Sequence, residues 1–153
     1  MLDKKTLQKL GGWEGYRLDR AVWPDSPGGT LELHLKPSRK WMVCERCGHK
    51  SQQVHDCSTR RVRDLPIFQY RVVLVVPRRR LWCERCEGPQ LEKLSWLSRY
   101  RRVTDRLAEA CSQLLRAASV QAVAEYYDLG WHTVKSIDKA RLKATVPEPD
   151  WSS

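Results

Sequence analysis

Two copies of the sequence Cys-Glu-Arg-Cys, at residues 44–47 and 83–86, constrain the fold of this chain more than any other feature. A Cys-x-x-Cys turn presents two thiolates to one metal ion, and two such turns complete a tetrahedral zinc site. A four-thiolate site has no open coordination position, which indicates structural rather than catalytic zinc. The predicted ligands of one structural zinc ion per chain are Cys44, Cys47, Cys83 and Cys86. A dithiol redox site and a chance pairing of reduced cysteines are the alternatives, and two pairs with matching flanks favour zinc.

Other residues near the two pairs have simpler interpretations. Gly48 directly follows the first pair, where a knuckle often needs a left-handed backbone. His49 and His55 are predicted to be structural, because four thiolates already complete the site. Cys57 remains a weaker competitor as a ligand, whereas Cys111 lies in a helical pattern and is expected to be a small core residue.

Charge and targeting signals narrow the class of partner. The chain has 153 residues, enough for one ordinary domain or two small ones. Its net charge of +10 favours a polyanionic partner. Nucleic acid is the commonest such partner. No secretory signal opens the sequence, and no apolar run is long enough to cross a bilayer. We therefore expect a cytoplasmic protein with no membrane partner, in which reduced thiols favour metal over disulfides.

The two halves of the chain have different periodicities. Leu31, Leu33 and Leu35 alternate with polar residues, which predicts a strand with one buried face. Further short strands lead into both knuckles, and Pro77 is expected to interrupt one of them. The second half carries helical periodicity instead. The sequence thus predicts an α+β protein, with a small antiparallel β zinc-ribbon domain over 1–90 and an all-α helix-turn-helix domain with a short C-terminal tail over 91–153.

The helical half contains a helix-turn-helix pattern. Ala124 allows a close crossing, Leu129 fills the corner, and Val134 and Ile137 pack the third helix onto the second. Asp128 occupies the turn, where Asp tolerates a left-handed backbone better than most residues. Recognition helices meet base edges in the major groove. The predicted base-reading residues are Trp131, His132, Lys135, Ser136 and Lys139. An ordinary helical hairpin is the alternative.

Three arginine triplets fit the same polyanionic partner. Arginines of this kind contact phosphates and fix the register of a protein on DNA without reading sequence. Each triplet alone fits a solvated surface equally well, and the three together favour DNA. The predicted phosphate contacts are Arg60, Arg61, Arg63, Arg78, Arg79, Arg80, Arg99, Arg101, Arg102 and Thr133.

The order of these motifs resembles a known family. A Cys-x-x-Cys-Gly knuckle is followed by Val-His-Asp at 54–56, Arg-Val-Arg-Asp-Leu-Pro at 61–66 and Arg-Arg-Arg-Leu-Trp-Cys at 78–83. Arg-Tyr at 99–100, Thr-x-Arg-Leu-Ala at 104–108 and the helix-turn-helix come next. From about residue 13 to 142 the chain resembles the N-terminal part of ISL-three family transposases of bacterial insertion sequences. The resemblance implies that the zinc finger and the helix-turn-helix bind terminal inverted repeats, ahead of an RNase H-like core that cuts DNA with divalent metal ions.

The resemblance sets the expected function. The sequence stops at Ser153, about where that core would begin, and its scattered acidic residues suggest no paired-metal carboxylate cluster. We therefore expect this chain alone to bind double-stranded DNA at inverted repeats in the bacterial nucleoid, without catalysis. A second copy or a full-length transposase is a further possible partner. A stand-alone transcriptional regulator, a transposition inhibitor, and an RNA-binding or protein-binding zinc ribbon remain the alternatives.

Overall fold

The computed structural model of the chain describes residues 3–98 and 101–145. These residues form two compact units, Met1–Asp105 and Arg106–Ser153. The first is rich in strands and holds all four predicted zinc ligands, and the second is helical, which confirms the α+β class. The division falls later than the predicted boundary at residue 90, because Leu94 and Leu97 belong to the apolar core of the first unit.

The first unit begins with a helix and continues with seven strands. The elements are α1 Lys4–Gly11, β1 Tyr16–Val22, β2 Thr30–Pro37, β3 Met42–Val43, β4 Lys50–Ser51, β5 Val54–Ile67, β6 Tyr70–Cys83 and β7 Gly88–Leu91. A five-stranded sheet has the order β1-β2-β6-β5, with β7 also paired to β6, and β3 and β4 form a separate hairpin.

The main sheet is mixed rather than wholly antiparallel as predicted. β2 pairs with β6 in parallel over five residue pairs, from Thr30 with Arg71 to His34 with Val75. The other strand pairs of the sheet are antiparallel. Parallel neighbours need a long crossover connection, and the first knuckle together with β5 supplies it between β2 and β6.

The core lies against one face of this sheet. Leu31, Leu33 and Leu35 of β2 are at most 4% exposed, which confirms the predicted alternation. From Val72 to Arg78 the buried residues of β6 alternate in the same way, and Trp13 packs into the same cluster.

β6 continues through Pro77, which was expected to interrupt it. Pro77 lies opposite Thr59 of β5 within the ladder. Its carbonyl accepts a hydrogen bond of 2.6 Å from the Tyr16 hydroxyl. The nitrogen and carbonyl of one strand residue face the same side, so the missing N–H faces away from β5 and no ladder bond is lost.

Three helices follow, α2 Asp105–Leu115, α3 Val120–Tyr127 and α4 Trp131–Thr145, and all but the first residue of α2 belong to the second unit. Cys111 is fully buried, as predicted for a core cysteine. Ser119 caps α3, because its hydroxyl accepts a hydrogen bond from the backbone N–H of Ala122. Among the helices of the described residues, none is long and apolar enough to cross a membrane.

Candidate metal centre and nucleic-acid interface

Each Cys-x-x-Cys pair lies in the turn of a hairpin. The first lies between β3 and β4, where Met42 pairs with Ser51, and the second joins β6 to β7, where Cys83 pairs with Gly88. Backbone hydrogen bonds connect the two hairpins, including one from the Lys93 N–H to the Val43 carbonyl. The two turns are therefore held face to face by the ribbon itself.

The four thiols converge on a site of the size that zinc requires. The distance between the Cys44 and Cys86 sulfurs is 3.9 Å, and that between the Cys47 and Cys83 sulfurs is 3.4 Å. All four sulfurs lie within 4.8 Å of one another. Zn–S bonds of about 2.3 Å in a tetrahedron place the sulfurs about 3.8 Å apart, so the donor set fits zinc. The predicted ligand residues are brought together, whereas Cys57 is exposed and lies outside the cluster.

The thiols differ in their affinity for protons. Burial acts to raise the pKa of the Cys83 thiol, but hydrogen bonds, first that from the Cys86 backbone N–H, outweigh it and lower the pKa to about 7. Burial and then the neighbouring thiols raise the pKa of Cys86 to about 12. A metal ion at this site must therefore displace protons from some thiols at neutral pH.

The two knuckles share a left-handed residue directly after the second cysteine. Gly48 has φ of +78°, as predicted, and Glu87 occupies the equivalent place in the second knuckle with φ of +53°. Glycine adopts this region without steric cost, whereas a residue with a Cβ does not. The second knuckle thus carries backbone strain that the first avoids.

A buried ion pair corrects the prediction for two of the arginines. Arg78 and Arg79 are 3% and 7% exposed, and neither faces solvent as a phosphate contact must. Arg79 donates two hydrogen bonds to the carboxylate of Glu92, and Arg78 donates one of 3.0 Å to the Glu92 backbone carbonyl. The Tyr16 hydroxyl oxygen lies 3.2 Å from a carboxylate oxygen of Glu92, and burial and then the charge of Glu92 raise the pKa of Tyr16. These arginines stabilise the interior of the first unit, because a buried carboxylate must be paired.

The remaining arginines of the predicted phosphate set have different surroundings. Arg61 has a side chain that is 60% exposed and lies 3.3 Å from a carboxylate oxygen of Glu32. Arg80 is exposed and paired with Asp56. Arg60, Arg63 and Arg101 are partly exposed and Arg102 is exposed. Arg99 lies outside the described residues.

The turn between α3 and α4 has the geometry that the sequence pattern predicts. Asp128 adopts φ of +52° and ψ of +53°, and its backbone N–H bonds to carbonyls at the end of α3. The Leu129 N–H donates to the Ala124 carbonyl at 2.9 Å. Val123 and Val134 are fully buried and Ile137 is 3% exposed, so these residues form the contact between the two helices.

The predicted base-reading residues lie together on the other side of α4. Trp131, His132, Ser136 and Lys139 are exposed, and Lys135 and Thr133 are partly exposed. Helical spacing places residues 131, 135 and 139 in one row and 132 and 136 in the next. No acidic residue occupies the first turn of α4, so the positive end of its dipole is not neutralised there.

Two residues of consequence escaped the sequence analysis. Glu92 is fully buried, yet its neighbours Lys93 and Leu91 give no sign of this. The available signal was Arg78, which continues the buried alternation of Val72, Leu74 and Val76 and so had to face inward. The second residue that the sequence analysis did not identify is Phe68, at the tip of the β5–β6 hairpin.

A four-cysteine ribbon and a separate helix-turn-helix define a protein of the zinc-ribbon and helix-turn-helix class. Comparison with known proteins agrees. Residues 40–86 match the zinc-finger model of the transposases IS204/IS1001/IS1096/IS1165, and residues 92–142 match the helix-turn-helix domain model of transposase family ISL3. The chain therefore carries a zinc-finger domain and a helix-turn-helix domain that are similar to those of ISL3-family transposases.

A curated relative extends the similarity to almost the whole chain. The transposase for insertion sequence element IS1001 of Bordetella parapertussis is 65% identical over 152 residues. The alignment covers 99% of this chain and 37% of the relative, so the chain spans little more than a third of that protein's length. No solved structure matches the chain significantly.

Proposed function

We propose that this chain binds double-stranded DNA sequence-specifically, as the part of an insertion-sequence transposase that recognises terminal inverted repeats. One observation carries the proposal: α4 buries Val134 and Ile137 against its own unit and leaves a polar and aromatic row exposed on the opposite side. A recognition helix must combine these two properties, because it has to be supported on one side and reach base edges with the other.

The chemistry of this row suits the major groove. Lys135 and Lys139 donate to the O6 and N7 acceptors of guanine, and Ser136 pairs with either kind of base edge. Trp131 and His132 begin the helix, with ring centroids 5.3 Å apart and planes at 90°. Their positions at the N-terminus of α4 correspond to the part of a recognition helix that lies deepest in the groove.

The phosphate contacts fix the position of the protein without reading sequence. Lysines and arginines that neutralise phosphates release counterions and make binding depend on salt. The proposed contacts on the described residues are Arg60, Arg61, Arg63, Arg80, Arg101, Arg102 and Thr133. Arg99 remains a prediction from the sequence, and Arg78 and Arg79 are withdrawn because they are buried.

The zinc site has a structural role in this proposal. One zinc ion per chain, held by the four thiolates, supplies the cross-link between the two knuckle hairpins. The proposed role of the chain is binding rather than strand cleavage, in the bacterial nucleoid. A second copy of the chain or a full-length transposase is the proposed protein partner, because the two ends of an element carry paired repeats.

A selection from genomic DNA tests the proposal. The zinc-loaded chain is mixed at roughly physiological salt with sheared DNA of a bacterium that carries an element of this family, and the retained fragments are sequenced. Enrichment of short inverted repeats at the element's ends supports the proposal. Enrichment of a single promoter would favour a regulator, and no enrichment at all would contradict sequence-specific binding. Lys135→Ala is the matched control, and it should lose the enriched sequence while retaining bulk DNA.

A further inference from the structure

The tip of the β5–β6 hairpin combines two unfavourable features in one residue. Ile67 pairs with Tyr70, so Phe68 and Gln69 alone form the turn. Phe68 is 93% exposed, the largest exposure of any large hydrophobic residue that the structure describes. Its φ is +52°, in the left-handed region.

Neither feature is what a structural turn requires. Two-residue hairpin turns with a left-handed first position ordinarily carry Gly, Asn or Asp there. A bulky residue with positive φ is an outlier. Such residues persist only where the surrounding structure holds them in place, and they cluster at functional sites. A side chain that is 93% exposed gains little from packing within the chain, and the backbone that carries it is in the left-handed region.

The turn is held firmly on its sheet. The last pair between β6 and β2 joins Arg71 to Thr30, directly behind the turn. Tyr70 packs edge-on against Trp23 with ring centroids 5.6 Å apart. These contacts hold the turn in place, so the Phe68 side chain stays exposed to a partner and does not fold back onto the strands.

The charge of the hairpin indicates the kind of partner. At least partly exposed on β5 and β6 are one aspartate, Asp56, and five arginines: Arg60, Arg61, Arg63, Arg71 and Arg80. Arg61 exposes 60% of its side chain on this ribbon. A basic ribbon with an apolar tip is complementary to a polyanion that has an apolar interior, and duplex DNA with its stacked bases has both properties. Proteins that bend DNA insert apolar wedges between base steps from the minor groove.

We propose that Phe68 is a wedge that inserts between base pairs in the minor groove when the chain binds DNA. The inference rests on the proposed function, and it adds a second DNA contact to that of α4. It assigns the β5–β6 tip a role in deforming the duplex, while α4 reads its sequence.

The test uses a variant that keeps the turn and removes the ring. Phe68→Asn places a residue that tolerates positive φ at the same position, so the variant folds at least as stably as the parent. Zinc-loaded parent and variant are bound to closed circular plasmid DNA, which is relaxed with a topoisomerase and deproteinised. The linking number is read on a gel, and the amount bound is measured by filter retention. Insertion between base steps untwists DNA of any sequence, so the assay needs no known target site.

The proposal predicts that the parent shifts the linking number and that Phe68→Asn loses the shift at equal occupancy. Affinity should fall by about tenfold, the equivalent of about 1.4 kcal/mol. Lys135→Ala should keep the shift per bound chain. Equal shifts for parent and Phe68→Asn, or no shift for either, would overturn the wedge. Failure of the parent to bind the plasmid would instead contradict the proposed function itself.

Discussion

The guanidinium of Arg79 holds the carboxylate of Glu92 by two hydrogen bonds, of 3.2 Å from Nε and 2.8 Å from Nη2. Glu92 is fully buried and forms a β-bridge with Cys44 of the first knuckle. The ion pair thus connects the long strand β6 to the segment that lies beside the zinc site. An arginine that the sequence assigned to DNA is used to hold the metal-binding part of the fold in place.

Removal of this buried charge should destabilise the first unit strongly. Glu92→Gln keeps the size of the side chain but leaves the Arg79 guanidinium buried without a counter-charge. We expect the free energy of unfolding to fall by about 3 kcal/mol. Urea unfolding of the zinc-loaded protein, followed by tryptophan fluorescence, measures the change.

Asp56→Asn is the matched control, because it breaks the pair of Asp56 with Arg80 at the surface. Both partners are about half exposed, and surface pairs contribute little to stability. The control should leave the unfolding midpoint nearly unchanged. Equal effects of the two variants would show that burial of the Arg79 pair does not matter.

The strained residue of the second knuckle offers a stabilising substitution. Glu87→Gly removes the Cβ from a residue with φ of +53° and makes the second knuckle match the first. Relief of the left-handed strain, less the entropy that glycine gains in the unfolded chain, should stabilise the protein by about 0.5–1 kcal/mol.

The reciprocal change tests the same argument in the first knuckle. A Cβ built on Gly48 meets no atom within 4 Å, so Gly48→Ala costs only the backbone conformation. It should destabilise by about 1 kcal/mol. A loss of stability in Glu87→Gly would mean that the glutamate side chain contributes more than its strain costs.

Capping by Ser119 should matter for the helical unit. Its hydroxyl accepts the Ala122 N–H at 3.1 Å. Ser119→Ala should lower the stability of this unit by about 1 kcal/mol, seen as an earlier loss of helical circular dichroism on heating. Ser136→Ala, at an exposed position inside α4, is the control and should not lower the melting temperature.

Metal removal should act on the two units differently. Cys44→Ser or Cys83→Ser should reduce bound zinc from about one per chain towards none, because a closed four-ligand site loses most of its affinity with one ligand. Acidification should release zinc as well, since protons compete for the thiolates. Metal content by mass spectrometry, with amide exchange along the chain, should show loosened β3, β4 and β7 and an unchanged α4. One zinc retained in both variants would contradict the ligand set.

Local sequence pattern was enough to predict those elements whose structure is determined by their own residues. The alternation of Leu31, Leu33 and Leu35 predicted β2, and the turn at Asp128 predicted where α3 ends. The four cysteines were recognised because their spacing states the chemistry directly. α1 was not predicted, although Asp3 caps its start, because this short helix buries only Leu7 and Gly11 and so carries little apolar periodicity.

Features that depend on contacts between residues distant in the sequence could not be predicted from local pattern. The alternating pattern of β2 and of β6 shows which face of each strand is buried, but it does not determine which strand lies beside it or in which direction. The parallel pairing of β2 with β6 therefore could not be predicted. The burial of Arg78 and Arg79 depends on Glu92, which lies beyond the second knuckle. Arginines are mostly exposed in proteins, so a triplet whose buried partner is unknown is expected at the surface.

The most direct test of the central claim compares two variants on two DNA sequences. Binding of the zinc-loaded chain, Lys135→Ala and Arg60→Ala is measured by fluorescence anisotropy over a range of salt, on the selected repeat and on a scrambled duplex. We predict that Lys135→Ala loses about 1–3 kcal/mol on the repeat only, and that Arg60→Ala weakens both duplexes alike and lowers the salt slope by about one. Equal affinity of the parent for the repeat and the scrambled duplex, with equal losses in both variants, would contradict sequence reading by α4.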